Sequence, residues 1–101
     1  MENNPEKRLE ALNLVLPPAP QPAGMYKPVR ISEGYLYVSG QSPVRQDGSQ
    51  ITGRAGVDMD REAARAAARQ VGLTMLSTIR THFGPLDGID YLVKTLGMVN
   101  G

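Results

Sequence analysis

The sequence predicts an α+β fold for this 101-residue chain from three observations. Two short alternating apolar runs, Val29-Arg30-Ile31 and Tyr35 to Ser39, flank the turn Ser32-Glu33-Gly34 and read as a β-hairpin. A helical pattern runs from about Asp60 to Phe83. A further strand pattern, Ile89 to Val99, follows the helix, and a crossover of that length implies parallel pairing with an earlier strand. One small domain accommodates all three.

In chain order, Glu6 to Leu12 reads as a short helix with Leu9 and Leu12 on one side, and residues 1–12 as an N-terminal extension. Asn13-Leu14-Val15-Leu16 is a candidate first strand, halted by Pro17-Pro18. Pro17 to Pro28 holds five prolines and Gly24, so it is an extended connection that cannot be central strand or helix. Asp47-Gly48 marks a second turn, after which Ile51-Thr52 reads as a short edge segment. Asp58 or Asp60 can cap the long helix, and Asp60 and Glu62 place negative charge at its positive end. Ala64, Ala68, Val71, Met75, Leu76, Ile79 and Phe83 recur at three- and four-residue steps, which predicts the buried stripe. Arg61, Arg65, Arg69 and Arg80 face outward, and Gly84-Pro85 ends the helix. In the last strand pattern Val93, Thr95, Gly97 and Val99 share one face, and Leu92, Lys94, Leu96 and Met98 the other.

Composition removes several function classes. With 11 Lys+Arg against 10 Asp+Glu, the chain offers no broad field for nucleic acid or an anionic membrane. The four helix arginines read as a solvated face rather than an RNA surface. Zero cysteines exclude disulfides, thiolate catalysis and thiolate metal sites. No run approaches a membrane span, and the first residues lack the order of a secretion signal, so the expected location is cytoplasmic. His82 is the one histidine and sits at the helix end, where it answers the last-turn carbonyls; no metal or other cofactor is expected.

Chemistry concentrates after the second hairpin strand, in Val38-Ser39-Gly40-Gln41-Ser42-Pro43-Val44. The Ser39 hydroxyl and the Gln41 amide stand at a strand end, where polar groups face a ligand, and Gly40 permits close backbone approach. The alternative is a solvated β-turn. Tyr26, in the proline-rich approach, is either a packing lid or a ligand contact.

Tyr26 thirteen residues before Ser39, the Ser-Gly-Gln-x-Pro turn, the Asp-Gly loop, the long helix and Leu92-Val93-Lys94-Thr95 together resemble the RidA family, also known as YjgF or L-PSP endoribonuclease-like proteins. The resemblance covers roughly Leu14 to Val99, and the longer proline-rich approach and the strand Tyr35-Leu36-Tyr37 look like a divergent branch. It implies a chorismate-mutase-like α+β fold, a sheet packed on a long helix, assembled as a homotrimer with sites between subunits. It also implies metal-independent hydrolysis of reactive 2-enamines and 2-imines to 2-keto acids and ammonia. By position, Tyr26 and Ser39 match the residues that hold the attacking water and relay a proton, and Gly40 and Gln41 fall at the substrate-binding turn. The family's carboxylate-binding arginine and acidic cleft residue belong to a later strand–helix–strand segment absent from this sequence. The expectation is therefore a C-terminally truncated domain. Two alternatives stand beside the deaminase: a non-catalytic small-ligand-binding or assembly subunit, and an RNA-acting, endoribonuclease-like protein.

Overall fold

The computed structural model describes residues 4–21 and 27–99. It is an α+β arrangement: a short helix α1 (Pro5–Ala11), an antiparallel hairpin of β1 (Val29–Ser32) and β2 (Tyr35–Val38), a long helix α2 (Arg61–His82), and a 3-10 turn (Leu86–Gly88). The sheet is the hairpin alone among the described residues, and β1 lies against α2.

Each element has a local cause. Asn4 caps α1 by accepting the Lys7 N–H at 2.9 Å, and Pro5 fills the first turn, where no donor is needed. The helix closes in a Schellman arrangement. Leu14 N–H bonds Leu9 C=O, Asn13 N–H bonds Glu10 C=O, and Asn13 takes φ 55°. This overturns the candidate strand Asn13–Leu16. Asn13 and Leu14 are consumed in ending the helix, and a left-handed Asn13 cannot belong to a ladder.

The hairpin pairs Val29 with Val38, Arg30 with Tyr37, Ile31 with Leu36 and Ser32 with Tyr35. Its two-residue loop, Glu33-Gly34, has φ 52° and 81°; positive φ at both positions matches the twist of the flanking strands. Alternation leaves Tyr35 and Tyr37 exposed, whereas Leu36 and Val38 are half-buried. At the Asp-Gly turn, Asp47 Oδ1 accepts the Ser49 N–H at 2.9 Å and hydroxyl at 2.6 Å. These bonds hold the Asp47 carboxyl below the usual carboxylate range. The turn leads to a single antiparallel bridge between Val44 and Gln50.

Asp60 caps α2 through the Ala63 N–H. The covered face is not the expected apolar stripe. Ala64, Val71, Met75, Leu76 and Ile79 are half-buried, Ala68 is exposed, and Phe83 is at the margin. The most enclosed positions are Leu73, Thr74, Ser77 and Thr78. Hydroxyls tolerate this because each finds a partner. Thr74 donates to Gln70 C=O and accepts the Val44 N–H, Ser77 donates to Pro17 C=O, and Thr78 donates to Gln41 Oε1. The Gln70 amide completes the set by donating to Val44 C=O at 2.6 Å. Arg61, Arg65, Arg69 and Arg80 are exposed, as the sequence predicts.

Residues 89–99 form no strand, which corrects the final-strand expectation. Both faces of that segment are apolar, so a strand there needs cover on two sides. The described residues offer none, and Tyr91, Leu92, Val93, Leu96, Met98 and Val99 are all exposed. Among the described residues, no helix is long and apolar enough to cross a membrane.

Glu6 joins the ends of the described chain. Its carboxylate accepts Arg80 Nη2 at 2.6 Å and the Leu86 N–H at 2.8 Å, while Asp87 Oδ1 accepts the Glu6 N–H. The Arg80 hydrogen bond, then that of Leu86, holds the Glu6 carboxyl below its ordinary value near 4.5, against an opposing effect of burial. A depressed carboxylate stabilises the fold above its unfolded value and loses that contribution as pH falls through its folded value. Glu6→Gln is therefore expected to lower the thermal midpoint above pH 4.5 and to converge with the parent at lower pH. Midpoints measured from pH 7 to pH 3 check this; a difference that grows on acidification contradicts it. Gly72 lies mid-helix on α2, exposed, with nothing within 4 Å of a Cβ placed there. Gly72→Ala is expected to add about 0.5–1 kcal/mol in a urea titration. A loss instead would mean that this side of α2 is covered in solution.

Candidate functional site

The Ser39-Gly40-Gln41 turn follows β2 directly, and three sets of bonds fix it. Ser39 N–H donates to Pro28 C=O at 2.9 Å, extending the hairpin ladder by one step. The Ser39 hydroxyl donates to Lys27 C=O, tying the turn to the chain entering β1. Gln41 then acts as a bridge. Its Nε2 donates to Ser39 C=O at 2.9 Å, and its Oε1 accepts the Thr78 hydroxyl at 2.8 Å. The turn is thereby anchored to α2, through a threonine that is 1% exposed.

These contacts define what each expected residue can do. With its proton engaged by a carbonyl, Ser39 presents lone pairs. It can accept from a water or a ligand N–H, but no base stands on it among the described residues. That geometry suits an orienting hydroxyl better than a nucleophile. Gln41 has one amide proton and its oxygen committed to the fold, so it positions the turn. Gly40 is exposed, and a Cβ placed on it would meet nothing within 4 Å. Tyr26 lies outside the described residues.

An open recess of about 450 Å³ lies beside the turn, lined by Lys27, Arg30, Tyr37, Val38 and Ser39. Hairpin register explains the lining. Arg30 pairs with Tyr37 across the strands, and Ser39 stands two residues beyond Tyr37 on the same side. Of these five, the sequence reading singled out only Ser39 as a site residue. The signal for Arg30 and Tyr37 was the two-residue loop at Glu33-Gly34, which fixes residue 30 opposite 37. Among the described residues, no group of three or more His, Asp or Glu side chains is placed to hold a metal ion.

A crystal structure from Shewanella oneidensis, described as that of a candidate endoribonuclease, superposes with a TM-score of 0.76 and 34% identity, covering 83% of this chain. The chain has this fold. A protein of unknown function from Agrobacterium tumefaciens superposes with a TM-score of 0.65, also at 34% identity, over 81% of this chain. Protein TCP17 of Trypanosoma cruzi is 35% identical over 92 residues, or 91% of this chain. No protein-family model matches the sequence. The chain spans 58% of the length of the Trypanosoma protein, and 56% and 48% of the two solved chains. The likeness agrees with the α+β fold class that the sequence predicts.

Thr78→Val removes the donor to Gln41 Oε1 and leaves that oxygen unpaired in a partly buried place. The expected cost is about 1–3 kcal/mol in unfolding free energy. Thr78→Ser, which keeps the hydroxyl, is expected to lose less. A loss in Thr78→Ser with none in Thr78→Val would show that the methyl group, and not the hydrogen bond, matters at this position.

Proposed function

We propose that this chain carries the Ser-Gly-Gln turn of a divergent RidA-type protein, and that the recess beside Ser39 binds a small molecule. The carrying observation is the turn itself: a Ser39 hydroxyl bonded to Lys27 C=O and a Ser39 C=O held by the Gln41 amide, at the edge of an open recess. In this reading the complete protein hydrolyses a 2-imino or 2-enamino acid. Water adds to the imine carbon, and the carbon–nitrogen bond then breaks. The products are a 2-keto acid and ammonia. Ser39 accepts a hydrogen bond from the incoming water and holds it against the imine carbon, and Tyr26 is the partner proposed for proton transfer to nitrogen. Gly40 and Gln41 shape the wall. The assembly proposed is a cytoplasmic homotrimer with the recess facing a neighbouring subunit.

A second reading is a subunit of the same fold that binds a ligand without turning it over. It is favoured by the engaged Ser39 proton and by the absence of a base on that hydroxyl among the described residues. A third, action on RNA, draws on the description of the Shewanella protein as a candidate endoribonuclease. A steep loss of RNA affinity with rising salt would favour it over the other two.

Ammonia release from a freshly generated 2-imino acid decides between the first two readings. Catalysis above the spontaneous rate is expected, with Ser39→Ala reducing kcat/KM about 100-fold, the lower range for a positioned proton-transfer group, at unchanged oligomeric mass. An intact oligomer with no rate above background would remove the hydrolase reading and leave the binding subunit.

A further inference from the structure

We infer that α1 is a detachable arm, and that the corner where α2 meets the 3-10 turn is its docking site, open also to the arm of a second copy. The inference is independent of the Ser39 turn and of the reading proposed above.

Three observations carry it. First, the contacts come from one face of α1. Glu6 and Leu9 stand three residues apart, so they face the same way. The Glu6 carboxylate accepts Arg80 Nη2 at 2.6 Å and the Leu86 N–H at 2.8 Å, and Asp87 Oδ1 accepts the Glu6 N–H at 2.9 Å. α1 packs on the 3-10 turn, and Leu9 and Leu86 are both buried. An apolar residue that fills and a polar one that orients are how a short helix enters a groove. Second, seven residues are too few to hold a helix alone, so the order of α1 depends on the corner. Third, the chain behind α1 is held elsewhere. Val15 C=O accepts Gln46 Nε2 at 2.7 Å, and Pro17 C=O accepts the Ser77 hydroxyl at 2.6 Å. The arm can therefore leave the corner while the segment behind it stays on the Asp-Gly turn and on α2.

The chemistry of the corner sets its occupant. Without α1 it presents the Leu86 side chain as an apolar floor, beside the Arg80 guanidinium and the Leu86 N–H as a carboxylate seat. Asp87 accepts a first-turn N–H and repels a second carboxylate at that edge. The fitting segment is a short helix with an acid in its first turn and a leucine three residues later, which Glu6-Lys7-Arg8-Leu9 supplies. Ion pairs at an exposed surface contribute little singly, so docking is reversible. The tether compensates by holding the arm at an effective concentration on the order of millimolar. α2 offers no such acid-and-leucine pattern to the corner of another copy, so the arm is the segment that a second copy donates.

The test is an amide NMR titration of the full chain with a synthetic peptide of residues 4–14. The host is the double variant Glu6→Gln, Leu9→Ala, whose own arm is impaired. Saturable shifts are expected at Arg80, Leu86 and Asp87. The parent, with its corner occupied, is expected to bind the peptide at least tenfold more weakly. Arg80→Gln added to the host is expected to raise Kd about tenfold, and the control Arg69→Gln to leave it unchanged. A host that loses its fold is expected to regain the native spectrum when the peptide is added. Donation between copies is read by mixing the double variant with an Arg80→Gln chain above the peptide Kd. One has an intact corner and the other an intact arm, so the mixture is expected to exceed the mass of either alone. The inference is overturned if the peptide neither saturates nor restores the host, or if the parent binds it equally well. An unchanged Kd with Arg80→Gln, or a mixture with no added mass, overturns it as well.

Discussion

The side-chain amide of Gln41 couples the two halves of this molecule. One end holds the carbonyl of Ser39 and the other receives the hydroxyl of Thr78, so a single planar group connects the end of the hairpin to the middle of α2. A turn with one attachment would pivot about its strand. With Ser39 also bonded to Lys27 and Pro28, the turn has attachments in two directions, and the recess inherits a defined wall. Preorganisation of this kind is what a binding surface requires, because a ligand then orders fewer groups on arrival.

The same logic extends along the covered face of α2. Leu9, Val44, Leu73 and Leu86 form the hydrophobic core among the described residues, and Thr74, Ser77 and Thr78 are buried beside them. Burying a hydroxyl is unfavourable unless it is paired, and here each hydroxyl reaches a group that no ladder satisfies. Ser77 takes the carbonyl of Pro17, from a segment whose prolines cannot form sheet. Thr74 and Gln70 take the N–H and C=O of Val44, which has only a single bridge to Gln50. The helix thus holds irregular backbone in place by supplying side-chain partners. This explains how a chain rich in proline and short of aromatics has an ordered centre.

The sequence made the helix and hairpin legible because their signals are local. Asp60 before a run of alanines and arginines, Glu33-Gly34 between alternating strands, and Asp47-Gly48 each specify a conformation within a few residues. What was not legible depended on distant partners. The stripe on α2 was read from apolarity, and apolarity does not register that Thr78 faces Gln41, 37 residues away. Asn13 reads as the start of a strand until its left-handed conformation shows it closing α1. Of the candidate site, the Ser39 turn was found from residue types. Arg30 matches no functional position of the resembled family and Lys27 carried no local signal; that both line the recess beside Ser39 shows only in the folded hairpin.

The run from Tyr91 to Val99 carries a different consequence. Its six large apolar side chains are exposed, and Lys94 is the only charge among them. A β-prone segment in that state has backbone donors and acceptors to offer and little repulsion to keep copies apart. A run of that composition favours association with any apolar or strand-edge surface that meets it, and Lys94 is its lone gatekeeper.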